Sequence, residues 1–223
     1  MNTTTPPSPF AVIRDWAPLS LEQIEKMLLK MGPEDHAQMI KTKILPEEFV
    51  VKKLLIHFDY DNYWKLLLFH QRFSVMFLDI FFRRFNQEHI DLICQYQKLD
   101  DMFLDKHWEH VDFNIIFQYQ QVSMEFIEKH SRWHWSIISE FQNLTDEFIE
   151  KHKQKIQWYR LSGNNHISKK TCMEYGDLVN WHMVFTRKDI GWTKTDLMLL
   201  MDREWADDDE KKLFIDKIRS VPI

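Results

Sequence analysis

Glycine and proline are scarce in this chain of 223 residues. It has four glycines, where average usage is about 7%, and this scarcity argues against tight β-hairpins, glycine-rich phosphate loops and dinucleotide-binding fingerprints. Proline is absent from residue 47 to residue 221, as suits helices joined by short polar connections. The composition therefore predicts an all-α fold. It disfavours an enzyme that holds a substrate phosphate on a glycine-rich turn.

The sequence also lacks the marks of an exported or membrane protein. Its two cysteines, Cys94 and Cys172, cannot form a disulfide framework, which favours a reducing cytoplasm. The sequence contains no run of about 18 uncharged apolar residues, so no membrane span is predicted. The first residues, MNTTTPPSPF, have neither the basic nor the apolar region of a signal peptide, so residues 1–10 are expected to form a disordered tail. We expect a cytoplasmic protein without a membrane partner.

A repeat runs through the chain. Its clearest copies are LDDMFLDKH from Leu99, VSMEFIEKH from Val122 and LTDEFIEKH from Leu144. The first apolar residue of each copy, here called the anchor, recurs at positions 19, 45, 73, 99, 122, 144, 167 and 190, with spacings of 22 to 28 residues. A period held this steadily predicts about eight copies of one structural unit.

Each copy is predicted to contain two short helices. Nearly every anchor is followed by an N-cap or first-turn residue. These residues are Ser20, Pro46, Ser74, Asp100, Ser123, Thr145, Ser168 and Gly191. The second helix carries a bulky residue, an aliphatic residue three positions later and an amide seven positions later, as in Trp135, Ile138 and Gln142. Helices this short are unstable alone, so stacking on neighbours must stabilise them.

These patterns predict an all-α fold, a short α-solenoid of about eight helix-pair repeats with capping helices. One domain is expected over residues 11–223. It has a C-terminal capping helix at about 207–220, which begins with acidic residues, and residues 11–18 cap the other end. Stacking predicts that four aromatic residues are buried: Phe126, Phe148, Trp135 and Trp158.

The core units read Φ-[ST]-x-E-F-I-E-K-H-x(5-6)-W-x-x-[IL]-S-x-[YF]-Q over residues 99–165, with weaker copies over 19–98 and 166–205. This motif resembles the short helical repeats of uncharacterised proteins of large DNA viruses and phages. The resemblance implies an α-solenoid and a viral or phage origin, with the host cytoplasm as the location. It implies no catalytic residue, because the repeat is a scaffold.

Histidines recur with the repeat at His107, His130 and His152, and His110 and His134 lie close by. Such spacings on helices can chelate a metal. No carboxylate or cysteine accompanies all of them in a compatible frame, and recurrence with the repeat is typical of a structural residue. We therefore expect half-buried rings bonded to a neighbouring helix end, with no metal site and no cofactor.

An amide also recurs, two residues before the next anchor. Its copies are Gln71, Gln97, Gln120, Gln142 and Asn165. One interpretation is a nucleotide-reading code with one amide per repeat. The favoured interpretation is a ladder of inward amides that bond the backbone groups left free at helix ends. Glu–Lys pairs such as Glu128–Lys129 are interpreted as solvent-facing.

Residues 151–170 form the most polarised segment, because they contain six cations and no acid. The candidate binding residues are Lys151, Lys153, Lys155, Tyr159, Arg160, Lys169 and Lys170. Cations mixed with aromatic rings suit an acidic protein surface or single-stranded nucleic acid. The alternative is that these cations balance the acids at 207–210.

The sequence shows no catalytic set, and a non-enzymatic scaffold that binds another macromolecule is the favoured function. With the viral resemblance, the expected partner is a host macromolecule. The more specific form of this hypothesis is that the chain is a counter-defence inhibitor. The alternative is a nucleic-acid or nucleotide binder that uses the basic segment 151–170. The net charge of −5 predicts no general attraction to nucleic acid.

Overall fold

The chain is all-α, as the composition predicts. The computed structural model describes residues 16–56, 60–187, 190–204 and 206–221, and within them it has sixteen α-helices and no β-strand. The chain divides into two compact units, Met1–Val111 and Asp112–Ile223. The predicted tail at 1–10 lies outside the described residues, as does most of the predicted N-terminal cap. One domain over 11–223 stays a prediction.

The first unit packs its even-numbered helices on one another, so that α4 contacts both α2 and α6. Its helices are α1 (Leu21–Leu28), α2 (Pro33–Thr42), α3 (Glu47–Phe49), α4 (Tyr60–His70), α5 (Val75–Phe81), α6 (Gln87–Tyr96) and α7 (Asp101–Lys106). A π-helical turn, Val50–Leu54, continues α3, and a 3-10 turn, Phe82–Arg84, continues α5.

The second unit repeats this packing, since α10 contacts α8 and α12, and α14 contacts α12 and α16. Its helices are α8 (Phe113–Tyr119), α9 (Met124–His130), α10 (Trp135–Phe141), α11 (Asp146–His152), α12 (Trp158–Gly163), α13 (Lys169–Glu174), α14 (Trp181–Thr186), α15 (Lys194–Met201) and α16 (Asp208–Ser220). The predicted helix at about 207–220 is α16, which begins after the N-cap Asp207 and packs on α14 and α15.

The residues after the anchors begin the odd-numbered helices, as predicted. Six of them accept a hydrogen bond from the backbone N–H three residues later, which satisfies a donor that the helix itself leaves free. These six are Ser20, Ser74, Asp100, Ser123, Thr145 and Ser168. Pro46 precedes α3 without a side-chain bond.

The prediction for the eighth helix start, which was placed at Gly191, is wrong by two residues. Gly191 lies in a turn with a φ of 64°, a conformation that glycine adopts without strain. The N-cap of α15 is Thr193, whose Oγ1 accepts from the N–H of Asp196 (3.2 Å) while the Asp196 carboxylate accepts from the N–H of Thr193 (2.9 Å). The buried Trp192 therefore holds the anchor position instead of Ile190.

Buried amides tie successive even-numbered helices together. Gln142, at the end of α10, is fully buried. Its Nε2 donates to the carbonyl oxygens of Phe117 (2.6 Å) and Gln120 (2.7 Å), and its Oε1 accepts from the N–H of Val122 (3.3 Å). The two carbonyls belong to the last turn of α8 and its C-cap, where no intrahelical donor remains. The amide therefore caps the preceding helix and holds the next anchor.

The first unit uses the same links. Gln71 Nε2 donates to the carbonyls of Ile40 and Lys43, and Gln71 Oε1 accepts from the N–H of Leu45. Gln97 bonds the carbonyls of Leu68 and Gln71 and the N–H of Phe73 in the same way. The interpretation of these amides as a structural ladder is confirmed at Gln71, Gln97 and Gln142.

The prediction that Asn165 is the last inward amide is wrong, because the Asn165 side chain is exposed. The buried Asn164 takes the role, and its Nδ2 donates to the carbonyls of Ser139 and Gln142 at 2.9 Å each. The physical reason is that α12 ends at Gly163, so that Asn164 is its C-cap. In the next copy of the repeat, the C-cap of α14 is Arg187, whose guanidinium donates to the Asn164 carbonyl (2.7 Å).

The EKH sequence of the repeat forms a second set of links, between odd-numbered helices. In the second unit, Lys151 and His152 Nε2 both bond the Glu128 carboxylate of the preceding copy. These bonds, that from Lys151 foremost, hold the pKa of Glu128 below its ordinary value. Glu128 and Lys129 are both exposed, as predicted, but the Glu128 carboxylate also bonds the following copy of the repeat. The histidine ring is half-buried as predicted, but its partner is a carboxylate and not a helix end.

Two of the four predicted core aromatics are fully buried. Phe126 is 3% exposed and Phe148 is 5% exposed, which confirms the prediction for both. Trp135 and Trp158 are only half-buried, because each begins its helix beside an open turn. Trp158 Nε1 donates to the carbonyl of Lys153 (3.2 Å) in that turn.

His36 of α2 predicts a pH dependence of stability. Its ring is buried, with Nε2 donating to the Leu28 carbonyl (3.0 Å) and Nδ1 accepting from the Tyr63 hydroxyl (2.7 Å). Burial lowers the pKa of His36 below its ordinary value. The unfolded chain therefore binds this proton more readily, and stability falls as the pH drops below about 6.5.

We expect His36→Gln to lose less unfolding free energy than the parent chain when the pH is lowered from about 7.5 to about 5.5. Urea unfolding followed by circular dichroism at the two pH values measures the difference. The comparison of the two proteins cancels every contribution that they share. Equal losses of unfolding free energy in the two proteins would contradict the assignment of this pH dependence to His36.

Candidate functional site

The predicted basic segment is largely neutralised by acids from other helices. Five of its six cations pair with a carboxylate that lies outside the segment or on its border in α11. The pairs are Lys151 with Glu128, Lys153 with Glu150, Arg160 with Glu140, Lys169 with Asp196 and Lys170 with Asp146. The interpretation that these cations balance the acids at 207–210 is not the arrangement found, because none of these five acids belongs to that group.

The surface around two of these lysines is acidic rather than basic. Lys151 and Lys170 line a shallow hollow of about 360 Å³ on α11 and α13. Its other lining residues are Asp146, Glu147, Glu150 and Glu174. A segment with six cations in the sequence therefore does not form a basic patch here.

Two predicted binding residues remain available to a ligand. Tyr159 is 66% exposed. Lys155 lies with its Nζ 5.4 Å from the ring centroid of Trp135. Within the described residues, the Lys155 ammonium makes no ion pair and no hydrogen bond. Lys155 is thus the one cation of the segment whose charge no described carboxylate offsets.

Lys155 lines a groove of about 500 Å³, here called the tryptophan groove. The groove lies between two successive turns, one that joins α9 to α10 and one that joins α11 to α12. Its lining residues are Glu128, Lys129, Ser131, Arg132, Trp133, Trp135, Gln154, Lys155 and Gln157. Of these residues, only Lys155 is among the binding residues predicted from the sequence.

Recurrent serines hold the turns that form the groove. Ser131 begins the first turn, where its carbonyl accepts from the N–H of His134 (3.0 Å). The second turn is tied to α10, since the N–H of Gln157 donates to the buried Ser139 hydroxyl (3.0 Å). Ser162 repeats this bond one copy later by accepting from the N–H of Asn180 (2.7 Å). The bond that holds the second turn thus recurs in two successive copies of the sequence repeat.

The side chains of the groove present cations and exposed rings. Trp133 is 79% exposed, and the guanidinium carbon of Arg132 lies 5.1 Å from its ring centroid. Arg132 also makes no ion pair or hydrogen bond within the described residues. The Glu128 carboxylate is engaged by Lys151 and His152. The groove thus offers two cations, each near the face of an indole ring, to an anionic ligand.

The part of the chain that the structure describes has neither a metal-binding cluster nor an exposed thiol. The described residues contain no cluster of three or more His, Cys, Asp or Glu side chains that could hold a metal ion. Both cysteines are buried, and burial raises the pKa of Cys172 to about 12. A thiol in that state is a poor nucleophile.

The described helices are also too short or too polar to cross a membrane, and the longest of them, α16, has 13 residues. No protein family, curated protein or solved structure matches this chain. The geometry of the groove is therefore the ground on which a function can be proposed.

Trp133 and Arg132 were missed by sequence reasoning, although a signal was present. The repeat places its aromatics on helix faces, at Phe126 and Trp135 for this copy. Trp133 falls between the two helices and fits neither face. A large aromatic residue outside the repeat frame, next to a cation, was the available clue to an exposed binding ring.

Proposed function

We propose that this chain is a non-enzymatic α-solenoid scaffold of about eight helix pairs that binds another protein. The support is that the same links recur from copy to copy within each unit. Amides or an arginine cap the preceding even-numbered helix, and EKH residues bond the preceding odd-numbered helix. Such residues are committed to stacking, so recognition falls to positions that vary between copies.

The tryptophan groove is the proposed binding site, and an acidic segment of a partner protein is the proposed ligand. The observation that carries this is the pair Arg132 and Lys155, two cations without a carboxylate partner among the described residues. Their combination with the exposed Trp133 matches the Trp and Arg enrichment of protein interfaces. A carboxylate of the ligand that enters the groove would lie near both cations, and little desolvation of either charge would be needed.

The repeat resemblance supports a viral or phage origin. In that setting, the partner is a host protein in the host cytoplasm, and the scaffold acts as a counter-defence inhibitor by covering an acidic surface. An inhibitor of this kind needs no catalytic group, and affinity for the partner is its only requirement.

Binding of single-stranded nucleic acid is the second candidate. The exposed rings of Trp133 and Tyr159, together with Lys155, favour it, because bases stack on such rings while cations contact the backbone. The net charge of −5 and the acids around Lys151 and Lys170 oppose a long polyanion. A short acidic peptide segment fits the limited groove better.

Charge reversal in the groove tests the proposal. We expect Arg132→Glu combined with Lys155→Glu to weaken binding of a fluorescent peptide of alternating Glu and Phe by at least about tenfold. The matched control is Lys153→Glu combined with Arg160→Glu, which reverses two cations already held by Glu150 and Glu140. Fluorescence anisotropy measures both, and circular dichroism confirms that each variant is folded.

The control should bind within about twofold of the parent chain. Equal weakening in the two variants would assign the effect to overall charge and contradict the groove. A thymidine oligonucleotide that binds more tightly than the peptide, with an affinity that falls steeply with salt, would support the nucleic-acid candidate instead.

A further inference from the structure

On their exposed side, α5 and α7 carry apolar residues where the equivalent positions of α1 and the α3 segment carry charged ones. Three and seven residues after the anchor, α1 carries Glu22 and Lys26, an exposed ion pair (2.7 Å), and the α3 segment carries the equivalent exposed pair of Glu48 and Lys52. The same positions of α5 are Met76 and Ile80, and the first of them in α7 is Met102. These three side chains, here called the methionine patch, are 72%, 68% and 77% exposed.

Contacts place α5 and α7 side by side. Lys106 Nζ and His107 Nε2 of the second helix bond the Asp79 carboxylate of the first at 2.6 Å and 2.8 Å. Because Met76 and Met102 hold the same repeat position in adjacent helices, they face the same side of the unit. Ile80 lies one turn beyond Met76 on the same face. Exposed apolar side chains grouped in this way are typical of an interaction surface.

The border of the methionine patch is positively charged. Arg83 and Arg84 follow α5 directly and are exposed. Within the described residues neither makes an ion pair, and Arg84 lies over the Phe81 ring at 5.4 Å. The acid of α5, Asp79, is already engaged, and Lys106 and His107 hold its pKa below its ordinary value. Of the charged residues of α5 and its 3-10 turn, the two arginines are therefore the ones whose charge no described carboxylate offsets.

We propose that the methionine patch docks an amphipathic helix of a partner protein, with an apolar stripe edged by Asp or Glu. Methionine side chains adapt their shape to such stripes, and a helix presents anchors at spacings of three and four residues. A second copy of this chain is a poorer occupant. It would bring the Arg83 and Arg84 side chains of the two copies together, and like charges repel across an interface.

The test uses two synthetic helical peptides of about 18 residues. Both carry the same leucine stripe, and its edges are Glu in one and Lys in the other. The patch variant is Met76→Glu combined with Ile80→Lys, which restores the Glu–Lys pair of the neighbouring copies and should leave folding intact. We expect the Glu-edged peptide to bind the parent chain at least about tenfold more tightly than the Lys-edged one, and to lose at least about tenfold on the patch variant.

Three outcomes would overturn the proposal. Equal binding of the two peptides would show unspecific apolar association, and unchanged binding to a folded patch variant would exclude the surface. Concentration-dependent dimers of the parent chain that the patch variant abolishes would assign the patch to self-association. The patch substitutions are also compared in the background of the groove variant Arg132→Glu with Lys155→Glu, where they should cause the same loss of at least about tenfold, so this result stands or falls independently of the proposed groove function.

Discussion

Gln142→Leu is expected to lower the free energy of unfolding by about 2–5 kcal/mol. The substitution keeps the volume but removes the amide, so the carbonyls of Phe117 and Gln120 and the N–H of Val122 lose their partner. A buried polar group left without a bond destabilises a protein by about 1–3 kcal/mol. The carbonyls lie at the end of α8, where the helix supplies no replacement donor.

The matched control for this variant is Gln118→Ala. Gln118 lies on α8, is exposed, and has no side-chain bond within the described residues. Its substitution should change the unfolding free energy by no more than about 0.5 kcal/mol. Urea unfolding of both variants measures the contrast. If Gln142→Leu were as stable as the control, the amide links would not hold the helix pairs together.

Phe148→Ala should have an effect of similar size, about 3–5 kcal/mol. The ring is 5% exposed and packs between Trp135, at a centroid distance of 6.2 Å, and His152, at 4.5 Å. Its removal leaves a cavity where two copies of the repeat meet. Thermal and urea unfolding report the loss directly.

Alanine substitutions of two tryptophans, one exposed and one half-buried, are compared with Phe148→Ala. Trp133→Ala should change stability by less than about 0.5 kcal/mol, because that ring is exposed. Trp158→Ala should fall between the two, since its indole is half-buried and retains one backbone bond. A Trp158 loss as large as that of Phe148 would restore the sequence-based expectation that both rings are core residues.

Most of the helix order could be predicted from the sequence, because N-caps and short-range periodicity are local signals. Thr145 and Ser168 begin their helices for a reason visible within four residues of chain. Gly191 and Asn165 show where this reasoning failed. In both places the repeat changes length by one or two residues, and only the helix boundary decides which side chain reaches the bonding position.

The candidate site was less accessible to sequence reasoning, because its charge balance depends on residues distant in the chain. Arg160 and Lys169 looked available, yet Glu140 and Asp196 offset them across 20 and 27 residues. Lys155 is the one selected cation that has no carboxylate partner among the described residues, and its role in binding stays a prediction. Trp133 escaped notice because exposure of a turn residue is a property of packing and leaves no periodic trace.

Photo-cross-linking at position 133 tests the central claim most directly. Trp133 is replaced by benzoylphenylalanine, and Gln118 carries the same group as a control on an exposed helix position. In cell lysate, we expect position 133 to form an adduct with one protein, through a peptide rich in Asp and Glu. Arg132→Glu with Lys155→Glu should abolish that adduct. Nucleic-acid adducts at 133, or the same protein adducts at 133 and 118, would contradict a groove that recognises an acidic protein segment.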